Sequence, residues 1–139
     1  MKHIFLILFI LFNTLHANSF DVLVNDSFPL KSLSKKQLKS IYLKKVTYIS
    51  GVKIFAINIS SSNHLRREFE KMVLVMNPQN LKNYWQKAHY KGIRPPKVLK
   101  SNKNILSYLS SVEGAIAYVP KGIAIENLHV LKVEDWKKY

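Results

Sequence analysis

Val52–Ile59 reads VKIFAINI, Ser60–Asn63 reads SSSN, and Leu65–Leu74 reads LRREFEKMVL. The first stretch is a strand whose near-continuous apolar character calls for cover on both faces, as in a sheet held between helices. The second supplies hydroxyl and amide side chains where a helix must start, with an N-cap at Ser62 or Asn63. In the third, Leu65, Phe69, Met72 and Val73 recur at helical spacing, and Met76 continues the stripe. Strand, polar loop and amphipathic helix in succession point to an α/β layer fold with a central sheet.

The flanking chain extends that pattern. Phe20–Asn25 (FDVLVN) mixes β-branched and aromatic residues and predicts a first strand. Ser34-Lys35-Lys36-Gln37 is a capping box, and Leu33 and Leu38 stand where a hydrophobic staple belongs. The helix it opens carries Leu38, Ile41 and Tyr42 on one face and is expected to end near Lys44–Lys45, where cations suit the dipole. Ser50-Gly51 is a turn. Asn77-Pro78 restarts the chain as a third helix, with Leu81, Tyr84, Trp85 and Ala88 on one side. After the stiff loop Gly92–Pro96, Lys97–Leu99 is expected to be extended. Lys103–Val112 predicts a fourth helix, with Gly114 as its stop. Ala115–Val119 is a buried strand and Leu128–Val133 a final one.

The 139 residues divide into two parts. Met1–Ala17 is expected to be a removable signal peptide: Lys2 and His3 precede the apolar run Ile4–Phe12, and Ala17 is a small residue before the cut. The run falls short of the roughly 20 apolar residues that span a bilayer. Residues 18–139 then form one domain, a length typical of single domains, which cluster at about 100–150 residues. The expected location is the periplasm.

The chain has no cysteine, which excludes disulfides, thiolate catalysis, zinc–thiolate sites and a lipoprotein anchor. Lys and Arg number 22 against 8 Asp and Glu. Together with export, this balance points to small anions, anionic lipid or cell-wall polymer, or an acidic protein surface, and away from nucleic acid. It is also what a lysine-rich surface without a partner would give.

Taken in order, FDVLVN, SLSKKQLKSIYLKKVTYISG, the strand with its polar loop, LRREFEKMVL and GAIAYV resemble the phosphate-type substrate-binding proteins of ABC transporters. Leu33, Leu38, Ile41, Tyr42, Lys45 and Tyr48 occupy places comparable to that family's segment after its first strand. Glu113–Val119 (EGAIAYV) is similar to its pGAIGYV. Tyr84-Trp85 through Gly92–Pro96 resembles a truncated, single-lobe branch. The resemblance covers Phe20–Val119 and implies a single lobe of a type II periplasmic-binding fold, with its ligand cleft at strand-to-helix loops. Full members have two lobes that close on the anion. Departures accompany the likeness. Asn58–His64 stands where the family has an Arg-x-x-x-Ser-Gly-Thr loop and lacks its Arg, Gly and Thr, while Lys44 and Ala117 replace glycines.

The residues themselves offer one leading candidate site, Ser60–Arg67. Amides at a helix N-terminus attract anions. Ser60, Ser61, Ser62, Asn63 and His64 add donors, and Arg66 and Arg67 place cations in a helical turn where an anion would relieve them. The alternative reading is a capped helix whose arginines pair with Glu68, Glu70 or solvent. Arg94, held by Pro95 and Pro96, is a second candidate ligand-binding residue, against its reading as a solvated side chain on a braced loop. Tyr84, Trp85 and Tyr90 read as core before they read as a stacking platform.

His64, His89 and His129 are scattered, so no metal or cofactor is expected. No nucleophile elbow, phosphate loop or close carboxylate pair is present, so no enzyme is expected. Two functions stay open. The first is recognition of phosphate or a related oxyanion for transport or sensing. The second is a ligand-free lobe acting as an interaction module for an inner-membrane transporter or sensor. A homodimer with a cleft between two copies is a further expectation.

Overall fold

The computed structural model describes residues 19–136. The leader expected at Met1–Ala17 lies outside them. No helix among the described residues is long and apolar enough to cross a membrane.

The strands are β1 (Phe20–Asn25), β2 (Ser32–Leu33), β3 (Tyr48–Ile49), β4 (Val52–Lys53), β5 (Phe55–Asn58), β6 (Lys97–Val98), β7 (Ala115–Pro120), β8 (Leu128–Val130) and β9 (Lys132–Val133). The helices are α1 (Lys35–Tyr42), α2 (His64–Phe69, extended by a π-helical turn over Glu70–Leu74), α3 (Pro78–Tyr90) and α4 (Asn102–Ser111). Five strands make the central sheet, in the order β6-β5-β7-β1-β8. β5 runs parallel to both β6 and β7, and β1 runs antiparallel to β7 and β8. The expected α/β class and single-lobe architecture are what the chain adopts.

Each face of the sheet has its own cover. Phe20, Val22 and Val24 pair with Pro120, Tyr118 and Ile116, so alternation puts these six on one face. There Phe69 of α2 stacks on Tyr118 with ring centroids 3.8 Å apart and planes 3° from parallel. Tyr42 of α1 and Phe20 close around the pair at 4.6 and 5.6 Å from the Phe69 ring. Aromatic contacts of this kind add about 0.5–1.5 kcal/mol each beyond area burial. Leu23 and Asn25 point to the other face, where Asn25 Nδ2 donates to the carbonyls of Leu109 (2.7 Å) and Val112 (3.1 Å) at the end of α4.

The capping box is present: Ser34 accepts from the Gln37 amide and Gln37 from that of Ser34. Leu33 and Leu38, the staple pair, are buried. α1 stops at Tyr42, two residues earlier than the lysines suggest, because Lys44 takes a left-handed conformation (φ 60°) that turns the Lys45 amide back to the Ser40 carbonyl.

Two expected strands are each broken in two. Val52–Ile59 splits because Ser50-Gly51 folds β3 and β4 into a hairpin, and the Ile54 amide bonds the Thr47 carbonyl before β5 begins. Leu128–Val133 splits at Leu131, whose amide bonds Val22 while β9 leaves to pair with β2. Gly114 does not cap α4; Val112 does. Glycine is required there for another reason. Its φ is +76°, and a Cβ would lie 2.0 Å from the Lys53 carbonyl oxygen.

Candidate functional site

In an open α/β sheet the chain leaves the carboxyl ends of parallel strands through loops that carry helix N-termini to one rim, where ligands bind. β5, β6 and β7 deliver three loops there: Ile59–Asn63 into α2, Leu99–Ser101 into α4, and Lys121-Gly122, which leads on to β8 and not to a helix. Neighbouring strands lie roughly 5 Å apart, so the three loops are side by side.

The loop after β5 is fixed from below. The Asn58 side-chain oxygen accepts from the Tyr118 hydroxyl and from the Ile59 amide, the latter at 3.0 Å. Burial raises the Tyr118 pKa well above its ordinary value of 10.0, with the Arg66 charge opposing, so the hydroxyl stays protonated and donates. Tyr42 is raised likewise, by burial first and by Tyr118 second, and its hydroxyl donates to the Ile57 carbonyl at 2.9 Å. Two buried phenols thus hold the carboxyl end of β5.

Above this support the loop is open. Ser61, Ser62, Asn63 and His64 are exposed. The Asn63 amide bonds the Ser60 carbonyl (3.0 Å), closing a turn, and the Ser60 and Ser62 hydroxyls meet at 3.0 Å. Asn63, not Ser62, is the N-cap and accepts from Leu65 at 3.0 Å. Among the described residues no partner engages the amides of Ser61, Ser62 and His64.

Arg66 is occupied. Its Nε donates to Glu70 at 2.7 Å and its Nη1 to the Ile59 carbonyl at 3.1 Å. It braces the loop from behind, as the capped-helix reading expects for an arginine paired with Glu70. Arg67 is exposed.

The structure separates Arg94 from the other candidates. Ile57 and Asn58 run parallel to Lys97 and Val98, so Arg94 precedes the amino end of β6 whereas Ser60 follows the carboxyl end of β5. Tyr84 and Trp85 are half-buried, and Tyr84 donates to the Leu43 carbonyl at 2.6 Å. Tyr90 is the exposed member of that trio, at 90%.

Sequence reasoning missed the rest of the rim. Ser101 caps α4 and accepts from Asn104 at 3.1 Å; Lys100 and Lys121 lie at the ends of β6 and β7. A Ser-x-x-Asn start just after an extended segment was the available signal for Ser101. Nothing local marks the two lysines, because only strand pairing brings them beside Ser60. Among the described residues no group of three or more His, Cys, Asp or Glu could hold a metal ion.

Comparison with solved structures agrees with this architecture. A substrate-binding protein of a phosphate ABC transporter from Clostridium perfringens, described as putative and with bound phosphate, superposes with a TM-score of 0.67 at 19% identity, over 83% of this chain and 44% of its own. An ABC-type phosphate transport receptor from Vibrio cholerae gives 0.66 at 17% identity, over 84% and 46%. PstS from Borrelia burgdorferi gives 0.66 at 17%, over 84% and 47%. The chain therefore spans less than half the length of each, and its fold is that of a single lobe of such proteins. No family model matches the sequence, and no curated protein matches it.

Proposed function

We propose that this chain is a single solute-binding lobe that takes a small oxyanion of phosphate type at the rim formed by Ser60–His64, Lys100, Ser101 and Lys121. One observation carries the reading: the Ser61, Ser62 and His64 amides stand open at the carboxyl end of β5, between two further loops that bring a helix N-terminus and lysines. The structural neighbours that are phosphate proteins support it. In this reading the ligand is held by neutral donors and lysine charge, with Arg66 kept for bracing. The ligand serves transport or sensing at the inner membrane.

Calorimetric titration with phosphate, sulfate and a phosphonate tests the reading. Phosphate is expected to bind, and the double substitution Ser61→Ala/Ser62→Ala to weaken it about a hundredfold, the loss of two hydrogen bonds to a charged group. No heat and no rise in melting temperature at millimolar phosphate would refute it.

A second reading rests on the Arg66–Glu70 pair, 2.7 Å apart, which removes the one guanidinium best placed for an anion. In it the lobe has kept the fold and serves as an interaction module for a membrane transporter or sensor. Capture of an inner-membrane protein by a phosphate-silent chain supports that reading; phosphate-dependent capture supports the first.

A further inference from the structure

Between Glu70 and Glu113 the chain carries no carboxylate side chain and eight Lys or Arg residues. That segment holds α3, the Gly92–Pro96 loop, the edge strand β6, and α4, which packs across β7 and β1. On α3, Lys87, Tyr90 and Lys91 share a side at helical spacing. The Ile93 amide bonds back to the Ala88 carbonyl at 3.0 Å, so the loop that carries Arg94 starts against that same helix end. Lys97 follows on β6 with its ammonium 5.3 Å from the centroid of the Tyr108 ring. The end of α3 and the loop after it thus gather Lys87, Lys91 and Arg94 around Tyr90, which is 90% exposed. Glu113 lies at the amino end of β7, one strand further in than β5.

We infer that this face docks on an anionic phospholipid surface. Seven of the eight basic residues are lysines. Lysine is a flexible point charge suited to a diffuse layer of headgroups, and it is depleted from protein–protein interfaces, where Arg dominates. Tyrosine, apolar in body and polar at the tip, belongs at a membrane interface. Guarding a sheet edge against unwanted pairing would account for Lys97, but not for Lys87 or Lys91 on a helix. The inference is independent of whether the rim binds phosphate.

The test is partition of the full-length chain between buffer and vesicles. Vesicles of phosphatidylcholine alone are compared with vesicles in which phosphatidylglycerol replaces part of it. The apolar stretch near the N-terminus meets both, so the ratio of the two partition coefficients isolates charge. The triple substitution Lys87→Glu/Lys91→Glu/Arg94→Glu is expected to lower that ratio about a hundredfold, a few-fold for each basic group lost near the surface. A control with the same charge change elsewhere, Lys31→Glu/Lys36→Glu/Lys132→Glu, is expected to lower it only a few-fold. Tyr90→Ala, which alters no charge, is expected to weaken binding to the anionic vesicles and to leave the melting temperature unchanged. Equal losses in the two triple variants overturn the inference, since net charge alone would then suffice. So does a wild-type ratio near one at low salt. Displacement from the vesicles by soluble polyglutamate at low stoichiometry would also overturn it, assigning the face to an acidic polypeptide.

Discussion

The two ends of the parallel strands are built on opposite plans. At the amino end, Gly114 leaves no room for a side chain against the Lys53 carbonyl, and Asn25 ties the last turn of α4 to β1 with two hydrogen bonds. At the carboxyl end, Ser61 to His64 are exposed, and three of their amides have no partner within the described chain. One end spends its polar groups on itself. The other leaves these three amides to solvent, and the proposed function has an oxyanion take them up. Under the proposed function, stability and recognition sit at opposite ends of the same strands.

If that division holds, substitutions at the two ends should differ sharply in cost. Gly114→Ala should destabilise most, by about 4 kcal/mol, since over-packing against backbone adds to strain at positive φ. Urea denaturation measures it. An effect under about 1 kcal/mol would show that the Lys53 carbonyl can give way. Asn25→Ala should cost about 2 kcal/mol by the same measurement, because two carbonyl acceptors lose their donor. On the open side, Asn63→Ala should cost about 1 kcal/mol, the loss of a helix cap. Ser61→Ala and Ser62→Ala should each fall within about 0.5 kcal/mol while still weakening phosphate binding. Equal costs at both ends would erase the contrast.

Alkaline titration sharpens the comparison, because the phenols beneath the open end tie it to the core. Burial raises both Tyr42 and Tyr118 above their ordinary value of 10.0. Above that pH the unfolded chain releases protons that the folded chain retains, so stability is whole below pH 10 and falls as pH rises beyond it. Ultraviolet absorption should show two tyrosines ionising only as the protein unfolds. Tyr118→Phe should reduce the count to one and make the alkaline loss shallower.

Much of the fold was legible because its signals are local. A capping box, an Asn-Pro restart and apolar periodicity each act within a turn or two of chain, so α1, α3, α4, β1 and β7 fall where the residues place them. The errors share one cause. The expected strands at Val52–Ile59 and Leu128–Val133 each read as one run of strand-forming residues, and nothing within them marks the points where pairing partners change. Gly114 reads in sequence as a helix stop, while its actual constraint comes from Lys53, 61 residues away in the chain. At the candidate site, Ser60–His64 could be read as a capped loop. That Lys100, Ser101 and Lys121 stand beside it, that Arg94 does not, and that Arg66 is engaged by Glu70 and Ile59 could not.

The amino-acid sequence alone determined the periodicities, the caps, the want of thiols and the basic balance, and through them the α/β class. These follow from covalent geometry and from apolar groups avoiding water, which act on each segment separately. Strand order, and with it the membership of the rim, was decided only by tertiary structure. Parallel pairing joins residues far apart in the chain, and its register is set by which side chains can share a buried face.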